Sequence, residues 1–138
     1  MKLFTFIGTG AFILFSAFVL NEKQIDSPSL YNTKWLLKKI HTDTGTDDVF
    51  TNAFIKFNLQ KKTAGGNGSC NTFGSNFVVA NHQISIINLF STKMYCEGVQ
   101  QTEDSFFRQL EKVNRFEIKE KTLRLYFDEE LLLEFETE

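Results

Sequence analysis

The sequence predicts an α+β domain, mostly antiparallel β, with one covering helix. Three observations carry that reading. The 138-residue chain holds sixteen Phe against one Pro and one Trp, and aromatic residues favour strands. Across residues 53–60, Ile55, Phe57 and Leu59 alternate with Lys56, Asn58 and Gln60, the period of a half-buried antiparallel strand. In residues 101–114, by contrast, Phe106, Phe107, Leu110 and Val113 recur at helical spacing.

The length suits one domain that can bury a core without metals. A formal charge of −2, with the signs mixed along the chain, gives no basic footprint for nucleic acid. At the N-terminus, Lys2 precedes an uncharged apolar run over residues 3–20, and polar residues begin at Asn21. Residues 1–21 therefore read as an export signal or signal anchor rather than a buried core helix. The run is just long enough to span a membrane if it is retained, and would then be the chain's membrane contact. Residues 22–32 are polar around Pro28 and read as a linker. The domain occupies residues 33–138.

Within the domain, residues 33–41 are expected to form the first strand. Trp35 and Leu37 would share one face, with Leu36 and Ile40 on the other. Trp35 reads as core rather than as a ligand anchor. Residues 43–52 read as a turn-rich loop whose Asp43, Asp47 and Asp48 lack calcium-loop spacing. Gly65, Gly66 and Gly68 precede Cys70 without the GK[ST] ending of a phosphate loop. They mark a bulge or a close backbone approach instead. Residues 77–80 and 83–87 form a hairpin across Asn81-His82, with Ile84 and Ile86 inward. Residues 88–96 follow as a further extended segment.

The helix at 101–114 takes Thr102 as N-cap, Glu103 and Asp104 in the first turn, and an Asp104–Arg108 pair one turn apart. A meander completes the chain. Phe116 and Ile118 lie on its first strand, Leu123, Leu125 and Phe127 on its second, and Leu131, Leu133 and Phe135 on its third. Lys121 and residues 128–130 provide the turns, and the terminal acids discourage edge pairing.

Two Cys and two His are available for chemistry. Cys70 and Cys96 stand 26 apart, and no Cys-x-x-Cys or His-x-x-x-His pair exists, so the spacing gives zinc no support. Carboxylates cluster at turns, where surface charge accounts for them better than acid–base catalysis. No motif argues for an enzyme or a cofactor. In an exported chain the even Cys count favours a Cys70–Cys96 disulfide over two reduced, buried thiols. Such a bond would contribute roughly 3–4 kcal/mol by loop closure.

The ordered set G-x-G-x-C-N-x-F-G-x-x-F (residues 66–77), a hairpin, S-T-K-M-x-C (91–96) and E-x-x-F-F-x-x-L (103–110) resembles the META-domain family. These are the HslJ-like proteins of bacterial envelopes, several of them linked to heat shock or stress. The resemblance spans residues 33–135 and includes Trp35-x-Leu37. It places Trp35, Gly66, Gly68, Cys70, Asn71, Phe73, Ser91, Thr92, Lys93, Met94, Cys96, Glu103 and Phe107 in motif positions. Phe77 stands where Tyr is common, and no lipidated Cys follows the apolar run. The family implies an open or cracked barrel. It also implies an exported, non-enzymatic binding or assembly module whose partner would be an envelope protein. The alternative is a carrier of an apolar ligand or lipid, held in a cleft between helix and sheet.

Overall fold

The computed structural model describes residues 28–138. The expected export signal or anchor lies outside them, as does the linker up to residue 27. Nine strands and one helix follow. They are β1 (Trp35–Thr42), β2 (Gly45–Asp48), β3 (Phe54–Asn58), β4 (Thr63–Asn67), β5 (Thr72–Ala80), β6 (Gln83–Ser91), α1 (Gln100–Leu110), β7 (Arg115–Lys119), β8 (Thr122–Phe127) and β9 (Glu130–Glu136).

Every strand pairing is antiparallel, and the order runs β2-β1-β3-β4-β5-β6-β7-β8-β9 with β9 returning to β1. The sheet is therefore ring-like. β1 makes the closure by offering β9 one edge, while β2 and β3 share the other. The weakest seam lies between β6 and β7, which meet at the single pair Gln83↔Arg115. There Ile84 N–H donates to Asn114 O (3.1 Å) and Phe116 N–H to His82 O (2.9 Å). The final strand is thus interior to the ring, and its terminal acids guard no edge.

Trp35, Phe57, Phe77, Ile84, Leu123, Leu125, Leu133 and Phe135 fill the core. Trp35 is fully buried, and its indole N–H donates to Leu30 O at 3.1 Å. That bond satisfies the one polar atom of a core Trp. Leu30 is itself buried, and Tyr31 bridges to Phe57. The chain is therefore packed onto the sheet before residue 33.

Two bulges change which side chains face inward. The β1–β9 register shifts between Leu37 and Lys39. Ile40, expected opposite Trp35 and Leu37, consequently joins them in the core. A second shift at Leu125/Tyr126 leaves Leu132 unpaired between Leu131 and Leu133. Leu132 is buried and Leu131 only half-buried. An extra residue reverses side-chain parity.

Other differences are local. The loop expected at 43–52 contains β2, held to β1 by four register pairs. Leu59 falls just after β3 and is exposed. Residues 88–91 continue β6 rather than starting a new segment, with Asn88 at φ +54° near the shift in β5–β6 register. Phe127 is exposed rather than inward. The helix begins at Gln100, its N-cap Val99 makes no side-chain cap bond, and Thr102 lies inside it. Asp104 accepts from Gln100 Nε2 (3.0 Å), where a pair with Arg108 was expected. Among the described residues, no helix is long and apolar enough to cross a membrane.

Candidate functional site

The motif residues converge where β4, β5, α1 and the irregular segment after β6 meet. Gly98, at φ +83°, turns the chain from Cys96 into α1. Glu103 then falls in the first helical turn, buried to 1% exposure and aimed at the β4–β5 connection. Its Oε2 accepts from Cys70 N–H (2.9 Å) and Asn71 N–H (2.6 Å), and its Oε1 from Asn71 Nδ2 (2.5 Å). The expected dipole role of Glu103 is thus secondary. Its carboxylate serves as the acceptor for a foreign backbone turn, and charge-assisted bonds of this kind are among the stronger ones.

Asn71, also buried, transmits the contact. Its Oδ1 accepts from Thr92 Oγ1 (2.8 Å) and Met94 N–H (2.8 Å), while Nδ2 also donates to Met94 O (2.9 Å). A single amide therefore satisfies both backbone groups of Met94, as a neighbouring strand would. That matters because residues 92–96 lie in no strand, and buried backbone groups need partners. The Cys70–Cys96 disulfide, with Cα atoms 5.8 Å apart, closes the far end of the same segment. Both cysteines are committed to that bond, which is consistent with an oxidising compartment.

Gly68 completes the node by its lack of a side chain. A Cβ there would stand 2.5 Å from the Phe107 ring and 2.8 Å from Glu103 Oε2. Gly66 meets the expectation of close backbone approach, since a Cβ would collide with the Phe54 carbonyl. Phe73 packs edge-on to Phe106 and Phe107, with centroids at 5.6 and 5.1 Å. Phe106 in turn meets Phe135 at 5.9 Å. The space between helix and sheet is occupied by these four rings.

Trp35 stands apart from the node as core. Ser91 ends β6 and is contacted by Lys93 Nζ at 3.4 Å. Met94 enters the clamp through its backbone alone, and its side chain is exposed beside Tyr95. A shallow cleft of about 280 Å³ lies over the node, lined by Asn71, Thr92, Lys93, Met94, Glu103 and Phe107. The two histidines are elsewhere: His41 bonds Thr46 Oγ1 through Nδ1, and His82 packs near Phe116.

Sequence reasoning missed two groups of residues. Gln109 is buried and donates its amide to His41 O, tying α1 to β1. On the outer face of β7–β8, Tyr126 O–H donates to Glu117 Oε2 (2.9 Å) and Arg115 Nη1 donates to Oε1 (3.1 Å). Arg115 also lies 4.0 Å over the Tyr126 ring. The Tyr126 hydrogen bond, helped by Arg115, holds the Glu117 carboxyl below its ordinary range. Partial burial, and then Glu117 itself, push the Tyr126 phenol up. Only the Arg115↔Tyr126 register, invisible in the sequence, brings these groups together.

A ring-like antiparallel sheet, a single helix and a motif clamp sealed by a disulfide define a small disulfide-closed β domain. Residues 28–138 match the META domain, and the chain belongs to that family. No curated protein matches the chain. Among solved structures, the chain is similar to a protein from Burkholderia xenovorans determined by NMR. Identity there is 19% and the TM-score 0.67, covering 79% of this chain and 83% of that one. A second NMR structure is similar at 16% identity and a TM-score of 0.57, covering 76% and 88% respectively. Both likenesses concern the fold.

Proposed function

We propose that this META domain is an exported, non-enzymatic binding or assembly module of the cell envelope, acting in stress tolerance. The observation that supports it best is the use to which the motif is put. Glu103, Asn71, Thr92 and the two cysteines are all consumed in holding residues 92–96 rigid. Both Glu103 oxygens are engaged by the N–H donors of Cys70 and Asn71, so the carboxylate is spent on structure. The locked segment presents Lys93, Met94 and Tyr95 to solvent, and ordered exposed side chains suit recognition, because little entropy is lost on binding.

A disulfide in this position, together with the apolar run at residues 3–20, favours export. The apolar-carrier reading is weaker, since the helix–sheet space it requires is filled by Phe73, Phe106, Phe107 and Phe135. The test has two parts. A reporter fused after Glu138 should be active only outside the cytoplasm, and purified protein should leave ester, peptide and phosphate substrates unchanged. Cytoplasmic reporter activity would overturn the export reading, and turnover lost in Glu103→Gln would overturn the non-enzymatic one.

A further inference from the structure

On the outer face of the sheet, away from the clamp, one row of register partners crosses four strands: Lys56↔Gly65, Gly65↔Gly74 and Gly74↔Phe90. The adjacent row on the same face runs Asn58↔Thr63 and Thr63↔Asn76. Because the middle of the first row is glycine, the floor is bare backbone. A cleft of about 440 Å³ opens over it, bounded by these residues and Asn32. That volume falls within the range of small-ligand sites.

Three features of the lining select the ligand. Phe90 lies down on Gly74, in the space a Cβ would fill, and is nevertheless 70% exposed. It is a flat apolar platform with one face free. Next, several polar groups of the lining are left able to donate. Asn58 Oδ1 already accepts from Lys61 N–H, and Asn76 Oδ1 from Asn88 Nδ2. Their amide nitrogens, the Thr63 hydroxyl and the Lys56 ammonium belong to residues that line the cleft. Finally, no acid lines the cleft, and Lys56 is in no ion pair among the described residues. In a chain of net charge −2, this cleft carries positive charge alone.

We infer that this cleft is a binding site for an acidic saccharide. One sugar ring would rest its apolar face on Phe90, hydroxyl oxygens would accept from Asn58, Thr63 and Asn76, and a carboxylate would meet Lys56. The donors are spread across strands roughly 4.8 Å apart. That spacing suits a ligand with acceptors along its length better than a nucleotide, whose charge is concentrated at one end. The clamp takes no part, so binding here is separate from the role proposed for residues 92–96.

The test titrates the full chain with the trimer of galacturonic acid and with its neutral methyl ester, following ¹⁵N amide shifts and heat. The acid should shift the amides of Gly65, Gly74 and Asn76 and bind about fivefold more tightly than the ester. Lys56→Gln should reduce the acid to the affinity of the ester and leave the ester unaffected. Phe90→Ser should weaken both about tenfold while the dispersed amide spectrum of the folded domain is kept. Absence of these shifts up to ~10 mM ligand would overturn the assignment. Equal loss of acid and ester in Lys56→Gln would overturn it too. So would tighter binding of adenosine monophosphate or of an acidic peptide at the same amides.

Discussion

Replacing Glu103 by Gln keeps the volume of the side chain and removes only its ability to accept on both oxygens. The contacts around the carboxylate decide the outcome. If the oxygen of the introduced amide keeps the backbone N–H groups of Cys70 and Asn71, its nitrogen faces Asn71 Nδ2, donor against donor. Turning that amide over moves the conflict onto two backbone donors. Turning Asn71 over sets its oxygen against Met94 O and its nitrogen against Met94 N–H. The least costly arrangement loses one charge-assisted bond and strands one buried donor, about 2–3 kcal/mol. For a domain of this size that is a fall of roughly 10–15 °C in melting temperature. Urea unfolding followed by tryptophan fluorescence measures it, since Trp35 is the only Trp and is buried. The midpoint should fall with the slope unchanged. A Glu103→Gln protein within about 0.5 kcal/mol of wild type would refute the view that this carboxylate anchors the β4–β5 connection.

Further outcomes rest on the neighbouring contacts. Cys70→Ser and Cys96→Ser should each cost roughly 3 kcal/mol in urea unfolding, and the double variant little more, because one bond is lost in each. Gly66→Ala drives a Cβ into the Phe54 carbonyl, so it should destabilise by about 3 kcal/mol or prevent folding, as read by circular dichroism. The Glu117–Tyr126 pair predicts a pH profile. The lowered Glu117 pKa gives stability that is present above the unfolded carboxyl value and lost as pH falls through the folded one. The raised Tyr126 pKa gives stability that is complete below the unfolded phenol value and lost as pH rises through the folded one. Tyr126→Phe should flatten both arms of a melting-temperature profile, and an unchanged profile would contradict the pairing.

What the sequence made legible was whatever depends on near neighbours along the chain. Ile55 and Phe57 alternate as read, Ile84 and Ile86 turn inward around Asn81-His82, and Phe106 and Leu110 face the sheet. The disulfide followed from an even cysteine count in a chain read as exported. Hidden features needed a partner strand to exist. The bulges that bring Ile40 and Leu132 into the core are set by β9 and β8, not by anything local. β2 is a run of exposed polar residues held only by β1. Glu103 looked like a helix-dipole residue because its true partners, Cys70 and Asn71, lie more than thirty residues away. The Lys56–Gly65–Gly74–Phe90 row was equally unreadable, being a product of three separate registers.

The central claim is that the motif works as a clamp on residues 92–96. Native-state hydrogen exchange on the amides of Cys70, Asn71 and Met94 tests it most directly, since each N–H is assigned one acceptor inside the node. The clamp predicts that all three are protected close to the global stability of the domain in the wild type. In Asn71→Ala, Met94 protection should collapse while the core amides of β8 and β9 stay slow. Fast exchange of Met94 in the wild type, or its undiminished protection in Asn71→Ala, would contradict the account.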